Sequence, residues 1–181
     1  VPFLRELISE MPEDEWCVLT LARFHIDWGQ PNEARVLLDS ASPETKRPPQ
    51  VQLMLADLAF AEGDKARALS YVEAARASGV THHLLAIQIG RAFLQFERWQ
   101  DAADAFRKSL ETEPDNPVAL GNLGMFYASR GDTAKAEATL RQAAARPDAP
   151  IAVRQNLALV VGLAGRIDEA ERLARQDLPP E

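Results

Sequence analysis

One cysteine, Cys17, in 181 residues excludes an internal disulfide, and no Cys or His spacing in the chain matches a zinc site. Basic residues are in the minority, 20 Lys and Arg against 27 Asp and Glu, for a formal net charge of -7. That balance argues against nucleic acid or anionic membrane as a partner, because both need clustered cations. No stretch reaches the roughly 20 consecutive apolar residues of a membrane span, so direct membrane insertion is not expected. The opening, "VPFLRELISEMPEDEW", has neither an initiator Met nor a signal-peptide layout. There is no Gly-rich phosphate loop after a strand, and no Ser/His/Asp or Cys/His arrangement, so neither enzymatic activity nor a cofactor is expected. What is present is 46% hydrophobic and 26% charged, sufficient for one sizeable core.

"NLGMFYASRGDTAKAEATL", residues 122 to 140, reads as helix, turn, helix, yet holds Gly124 inside the first helix. Glycine there costs about 1 kcal/mol relative to alanine. Steps of 34 residues from Gly124 reach Gly90, Ala56 and Ala22 in one direction and Ala158 in the other, so the glycine belongs to a column of small residues. The preceding column reads Leu21, Leu55, Ile89, Leu123 and Leu157, and the one twelve residues after the small-residue column reads Ala34, Ala68, Ala102, Ala136 and Ala170. Between the helices stand Gly29, Gly63, Glu97, Gly131 and Gly165, and in the second helix Leu38, Val72, Phe106, Leu140 and Ala174. Glycine can close the first helix in a left-handed cap without a Cβ penalty, so Glu97 predicts a differently shaped or slightly strained turn.

The period divides the chain into repeats at 15–48, 49–82, 83–116, 117–150 and 151–181, each an antiparallel helix pair, preceded by a partial repeat at 1–14. Asn116 is a candidate N-cap and Pro117 suits the first helical position. Pro12 lies three periods before Pro114, which fits residues 1–14 to the second half of an earlier repeat. One solenoid domain is expected, read as a fragment of a longer array. The predicted fold is all-α: a right-handed superhelical solenoid of antiparallel helix pairs, about five and a half repeats long, whose units bury their apolar faces on one another.

The pattern of a small residue after Leu, an aromatic three further on, Gly before the second helix, Ala five later and Pro near the end resembles the tetratricopeptide repeat. "ALGNLGMFYASRGDTAKAEATLRQAAARPD" and "LLAIQIGRAFLQFERWQDAADAFRKSLETEPDNP" carry the likeness most fully. Residues 122 to 181 are further similar to the end of TadD-type proteins of the Flp (tight adherence) pilus system. That narrower resemblance implies a bacterial envelope lipoprotein of the periplasm and outer membrane that helps assemble the pilus secretin by protein contacts. No lipobox surrounds Cys17, which follows "PEDEW", so an anchor would have to lie upstream. The alternatives are a cytoplasmic adaptor or cochaperone, and a scaffold that self-associates through its ends, where Phe3, Leu4 and Leu7 form an apolar set.

The family resemblance implies that the first helix of each pair lines a concave groove. The residues it places there include Trp16, Leu19, Arg23, Ile26 and Asp27, then Gln50, Leu53, Met54, Asp57 and Phe60. Leu84, Ile87, Gln88, Arg91, Leu94 and Gln95 follow, then Val118, Asn122, Met125 and Ser129, and last Ala152, Gln155, Asn156, Leu159 and Leu163. A protein or peptide partner is expected there. Arg23, Asp57, Phe60, Arg91, Asn122, Met125, Asn156 and Leu159 are the candidate binding residues. Met and aromatic members suit adaptable apolar packing, and the leucines equally suit a neighbour's core. Asn122 and Asn156 share a column where an amide can hold a ligand backbone, or serve the repeat itself. Arg23, Asp57 and Arg91 alternate in sign and either pair with one another or grip a ligand's acids. The cations of a carboxylate clamp are missing beside the asparagines. His25 shares a column with Phe93 and Tyr127, which makes it a packing residue, and metal ligands are not expected.

Overall fold

The computed structural model describes residues 15–43, 45–46, 48–79 and 82–175, with side chains from Val18 onward. The apolar set at Phe3, Leu4 and Leu7 and the side chains of Trp16 and Cys17 lie outside this description. The described residues form helices and turns without a strand, and they divide into two compact units, Val1–Val80 and Thr81–Glu181. Unit 1 contains α1 (Glu15–Asp27), α2 (Pro31–Ser40), α3 (Pro49–Ala61) and α4 (Lys65–Ala77). Unit 2 contains α5 (His83–Gln95), α6 (Trp99–Thr112), α7 (Pro117–Ser129), α8 (Thr133–Ala144), α9 (Ile151–Leu163) and α10 (Ile167–Arg175). The fold is all-α, built from helix hairpins whose first helices begin at 34-residue intervals.

Local chemistry explains those boundaries. Pro31, Pro49 and Pro117 each sit in the first turn of a helix, where their missing N–H removes no intrahelical bond. Asn116 accepts from the N–H groups of Val118 and Ala119, both at 3.1 Å, and so caps α7 as its position implied. Asp64 and Asp132 do the same for α4 and α8 by accepting from Arg67 N and Lys135 N.

Each first helix closes in a left-handed turn. The N–H of Asp132 donates to Tyr127 O at 3.0 Å, and that of Arg98 to Phe93 O at 3.0 Å. These are the six-to-one bonds of a Schellman closure. Glu97 keeps this geometry at φ 57°, beside the positive values of Gly29, Gly63, Gly131 and Gly165. Of the two outcomes the sequence left open, the turn is therefore strained and not reshaped.

The small-residue column is explained by what stands opposite. A Cβ on Gly124 would lie 2.5 Å from Leu140 Cγ, and one on Gly90 would lie 2.6 Å from the Phe106 ring. At these two positions the first helix thus meets a large side chain of the second with no room for a methyl. Unit 1 packs Ala22, Ala34, Leu38, Val51, Met54, Leu55 and Leu58 into one cluster. At the far end of unit 2, Leu120, Leu140, Val153, Leu157, Val160 and Val161 form the corresponding core. Ser109, wholly buried in α6 where the same column holds Ala75 and Ala143, has no hydrogen-bond partner for its hydroxyl among the described residues.

Candidate functional site

Each first helix packs its apolar side into the core and keeps one stripe for the outside. In unit 1 that stripe carries Arg23, Asp27 and Asp57, all exposed, and a half-buried Phe60. Arg23 pairs along its own helix with Asp27, at 3.1 Å and in an i,i+4 geometry. The expected partnership with Asp57 is thus replaced by the local one, since i,i+4 side chains meet without any dependence on neighbouring helices. Asp57 has a surface open to water, yet its carboxyl titrates above the ordinary range. Protein atoms around it displace solvent, Arg23 offsets part of that effect, and Asp27 adds to it.

In unit 2 the stripe changes character. Arg91 on α5 is exposed, and within its unit it makes no hydrogen bond or ion pair with a described residue. Asn122 and Asn156 are half-buried. The Nδ2 of Asn122 donates to Val118 O at 2.8 Å, one turn back in α7, which is the self-serving role an asparagine can take in the repeat. Met125 is half-buried and lies against the α7–α10 core, so part of its side chain serves packing. Leu159 is 52% exposed and Leu163, one turn later on α9, 75%.

Several residues assigned to the groove by sequence belong to packing instead. Leu53, Met54 and Ile87 are buried, because the apolar stripe of each first helix is wider than a strict groove-facing spacing allows. His25 is 2% exposed, with its Nδ1 2.7 Å from Gln30 Oε1 and Phe24 against its ring, consistent with a packing residue. Among the described residues no group of three or more His, Cys, Asp or Glu side chains could hold a metal ion, and no helix is long and apolar enough to cross a membrane.

Sequence reasoning missed two features. Exposed Ile151 and Ile167 flank the last hairpin; each opens its helix, where a core-facing periodicity carries no information. On the second-helix side, Arg141 bonds Glu137 at 2.7 Å and Glu169 at 2.6 Å, while Arg166 bonds both Glu169, at 3.0 Å, and Glu137. This ring of four charges ties α8 to α10. The i,i+4 spacing of Glu137 and Arg141 was readable, whereas the links between hairpins were not.

Models of the tetratricopeptide repeat match the chain at residues 1–58, 87–150 and 152–176. No curated protein sequence matches it. Among solved structures it is similar to a crystal structure of MamA, with a TM-score of 0.69 at 18% identity over 86% of this chain and 91% of that one. It is also similar to MamA residues 41 to the end from Desulfovibrio magneticus RS-1, with a TM-score of 0.72 at 16% identity over 90% and 92%. A third likeness is to a chain of the APC/C hetero-tetramer Cut9–Hcn1, with a TM-score of 0.75 at 19% identity over 96% of this chain and 35% of that one. At such identities these likenesses speak for the fold.

Proposed function

Because the chain belongs to the tetratricopeptide-repeat family, we propose that it works as a non-catalytic protein-binding adaptor, whose first-helix faces hold a peptide or helix of a partner. One observation carries the reading: α9 leaves Leu159 and Leu163 uncovered beside half-buried Asn156, on the helix face that does not build the core. Apolar side chains in a row, bordered by amides that both donate and accept, suit a polypeptide ligand better than a small polar one. Arg23, Asp57 and Phe60 in unit 1 and Arg91, Asn122, Met125, Asn156 and Leu159 in unit 2 are the proposed contact residues.

Peptide-display selection against the whole chain tests this, with counter-selection on a Leu159→Asp, Asn156→Ala variant of equal helicity. The reading expects families of peptides that the parent retains and the variant loses. Peptides that bind both equally would move the binding surface elsewhere.

A finer role, in assembly of a Flp-type pilus, is supported only by the resemblance of residues 122–181 to TadD-type proteins. Its test is capture of a secretin from a bacterial envelope fraction by the parent and not by the variant. Capture of cytosolic proteins alone would leave the general adaptor and discard the pilus role.

A further inference from the structure

The turn between α5 and α6 forgoes two features that other hairpins keep. Where Gly63 and Gly131 close their first helices at positive φ, this turn places Glu97 at φ 57°. Where Asp64 and Asp132 cap α4 and α8 with their side chains, the same column holds Arg98, and α6 has no side-chain cap. A left-handed non-glycine residue and an uncapped helix each cost stability, and here they fall side by side. Local rules broken at adjacent positions point to a use for the side chains that break them.

Those side chains leave one charge unanswered. Arg98 is engaged twice, for its guanidinium pairs with Asp101 at 2.6 Å and lies 5.6 Å from the centre of the Phe93 ring. Glu97 is exposed, and its carboxylate makes no hydrogen bond or ion pair with a described residue of its unit. Two residues on, Trp99 is 53% exposed, and its indole has neither a hydrogen bond nor a ring contact among the same residues. The other turns have glycine in the first of these columns and Pro31, Lys65, Thr133 or Ile167 in the second, so an acid and an aromatic ring come together only here.

A carboxylate and the face of an indole attract the same kind of group, a cation. Two residues of chain span at most about 7 Å, and an aromatic ring attracts a cation from up to about 6 Å from its centre. One cation can therefore meet both. A guanidinium suits the pair better than an ammonium, because it is planar, stacks on the indole and meets a carboxylate with two parallel N–H bonds. The net charge of -7 favours the approach of a basic partner. We propose that the α5–α6 turn receives an arginine side chain of a partner protein, its guanidinium stacked on Trp99 and bonded to the Glu97 carboxylate. This surface lies past the C-terminal end of α5, apart from the first-helix faces, and goes beyond the adaptor reading.

The test is an NMR titration of the nitrogen-15-labelled whole chain with the peptide acetyl-Ser-Gly-Arg-Gly-Ser-amide and its lysine and citrulline counterparts. Citrulline keeps the shape of arginine without its charge. The reporters are the Trp99 indole N–H, assigned through Trp99→Phe, and the backbone amides of residues 96 to 99. Saturable shifts are expected there, with the arginine peptide bound about fivefold or more tighter than the citrulline peptide and also tighter than the lysine one. Glu97→Gln, which keeps a non-glycine residue in the turn, is expected to bring the arginine peptide down to the citrulline level with circular dichroism unchanged. The Leu159→Asp, Asn156→Ala variant is expected to bind as the parent does, so a failure of the adaptor reading leaves this result in place. Equal binding of the arginine and citrulline peptides, arginine binding that Glu97→Gln leaves intact, shifts centred on other residues, or no saturable shift would each overturn the proposal. Loss of binding in the Leu159→Asp, Asn156→Ala variant would move the peptide to the first-helix face and overturn it as well.

Discussion

At the scale of single residues, each of the two glycines in the small-residue column stands against a large side chain. Phe106 and Leu140 in the second-helix column stand opposite glycines, while Val72 and Ala174 stand across from Ala56 and Ala158 in the repeat register. Gly90→Ala would improve helix propensity by about 1 kcal/mol, but its Cβ would overlap the buried Phe106 ring, and overpacking costs about 1 to 3 kcal/mol. Because the Phe106 ring is rigid and buried, the overlap is expected to win: Gly90→Ala lowers the thermal midpoint, and Phe106→Leu added to it restores part of the loss. Equal midpoints for parent and Gly90→Ala would show that the ring simply moves aside. Glu97 offers the converse. A non-glycine residue in the left-handed region is disfavoured by about 1 kcal/mol or slightly more, partly regained through the freedom glycine adds to the unfolded chain. Glu97→Gly is therefore expected to raise the urea midpoint modestly without changing the slope of the transition.

Helix boundaries were legible in the sequence because they depend on nearby chemistry: proline at the first helical position, Asn116 as a cap, glycine in the closing turn. The candidate site was legible only in part. Which residues share a column follows from the period alone, but whether Met54 is covered and Leu159 is not depends on the breadth of packing against neighbouring helices. The bonding partner of Arg23 was not legible in the column, although its charge does reach Asp57. The column suggested a cation and an anion on successive helices, whereas Asp27, one turn away on the same helix, is closer. The charged ring of Glu137, Arg141, Arg166 and Glu169 is the clearest case of structure exceeding sequence, because long side chains choose partners only after the hairpins are set.

That ring also explains how the last element is held. Helix α10 contributes no fully buried residue; Ala170 and Leu173 lie half-covered on the core, and the ring supplies the rest. Exposed ion pairs contribute up to about 1 kcal/mol each. Glu137→Gln is accordingly expected to accelerate hydrogen exchange of α10 amides by up to about fivefold, with exchange in α5 and α6 unchanged. Uniform acceleration throughout unit 2 would mean that α10 unfolds only with the whole unit.

For the whole molecule, the titrating groups of the two units respond to acid in opposite directions. Asp57 in unit 1 has a carboxyl raised above its unfolded value of 3.8, mainly by loss of solvent around it. Its charged form therefore opposes folding at neutral pH, and the opposition is relieved as pH falls through the folded value. Glu137 and Glu169 in unit 2 are held below 4.5, Glu137 by hydrogen bonds from Arg166 and then Arg141, Glu169 chiefly by that from Arg141. Their contribution is present above 4.5 and is lost as pH falls through their lowered values. Asp57→Asn should thus stabilise the chain near neutral pH and lose that advantage on approach to about pH 4, as read from thermal midpoints across the range. An advantage that is constant with pH would remove the titration of Asp57 as its cause.

The central claim is that a partner protein is held by the first-helix faces, and photo-crosslinking reads it most directly. A benzophenone amino acid would replace Leu159 on α9 in one sample and Lys108 on the outward helix α6 in another, each exposed to cell extract and illuminated. The account predicts discrete protein adducts from position 159 that an excess of unlabelled parent chain suppresses, and none from position 108. Adducts confined to position 108, or none that the parent chain suppresses at position 159, would contradict it.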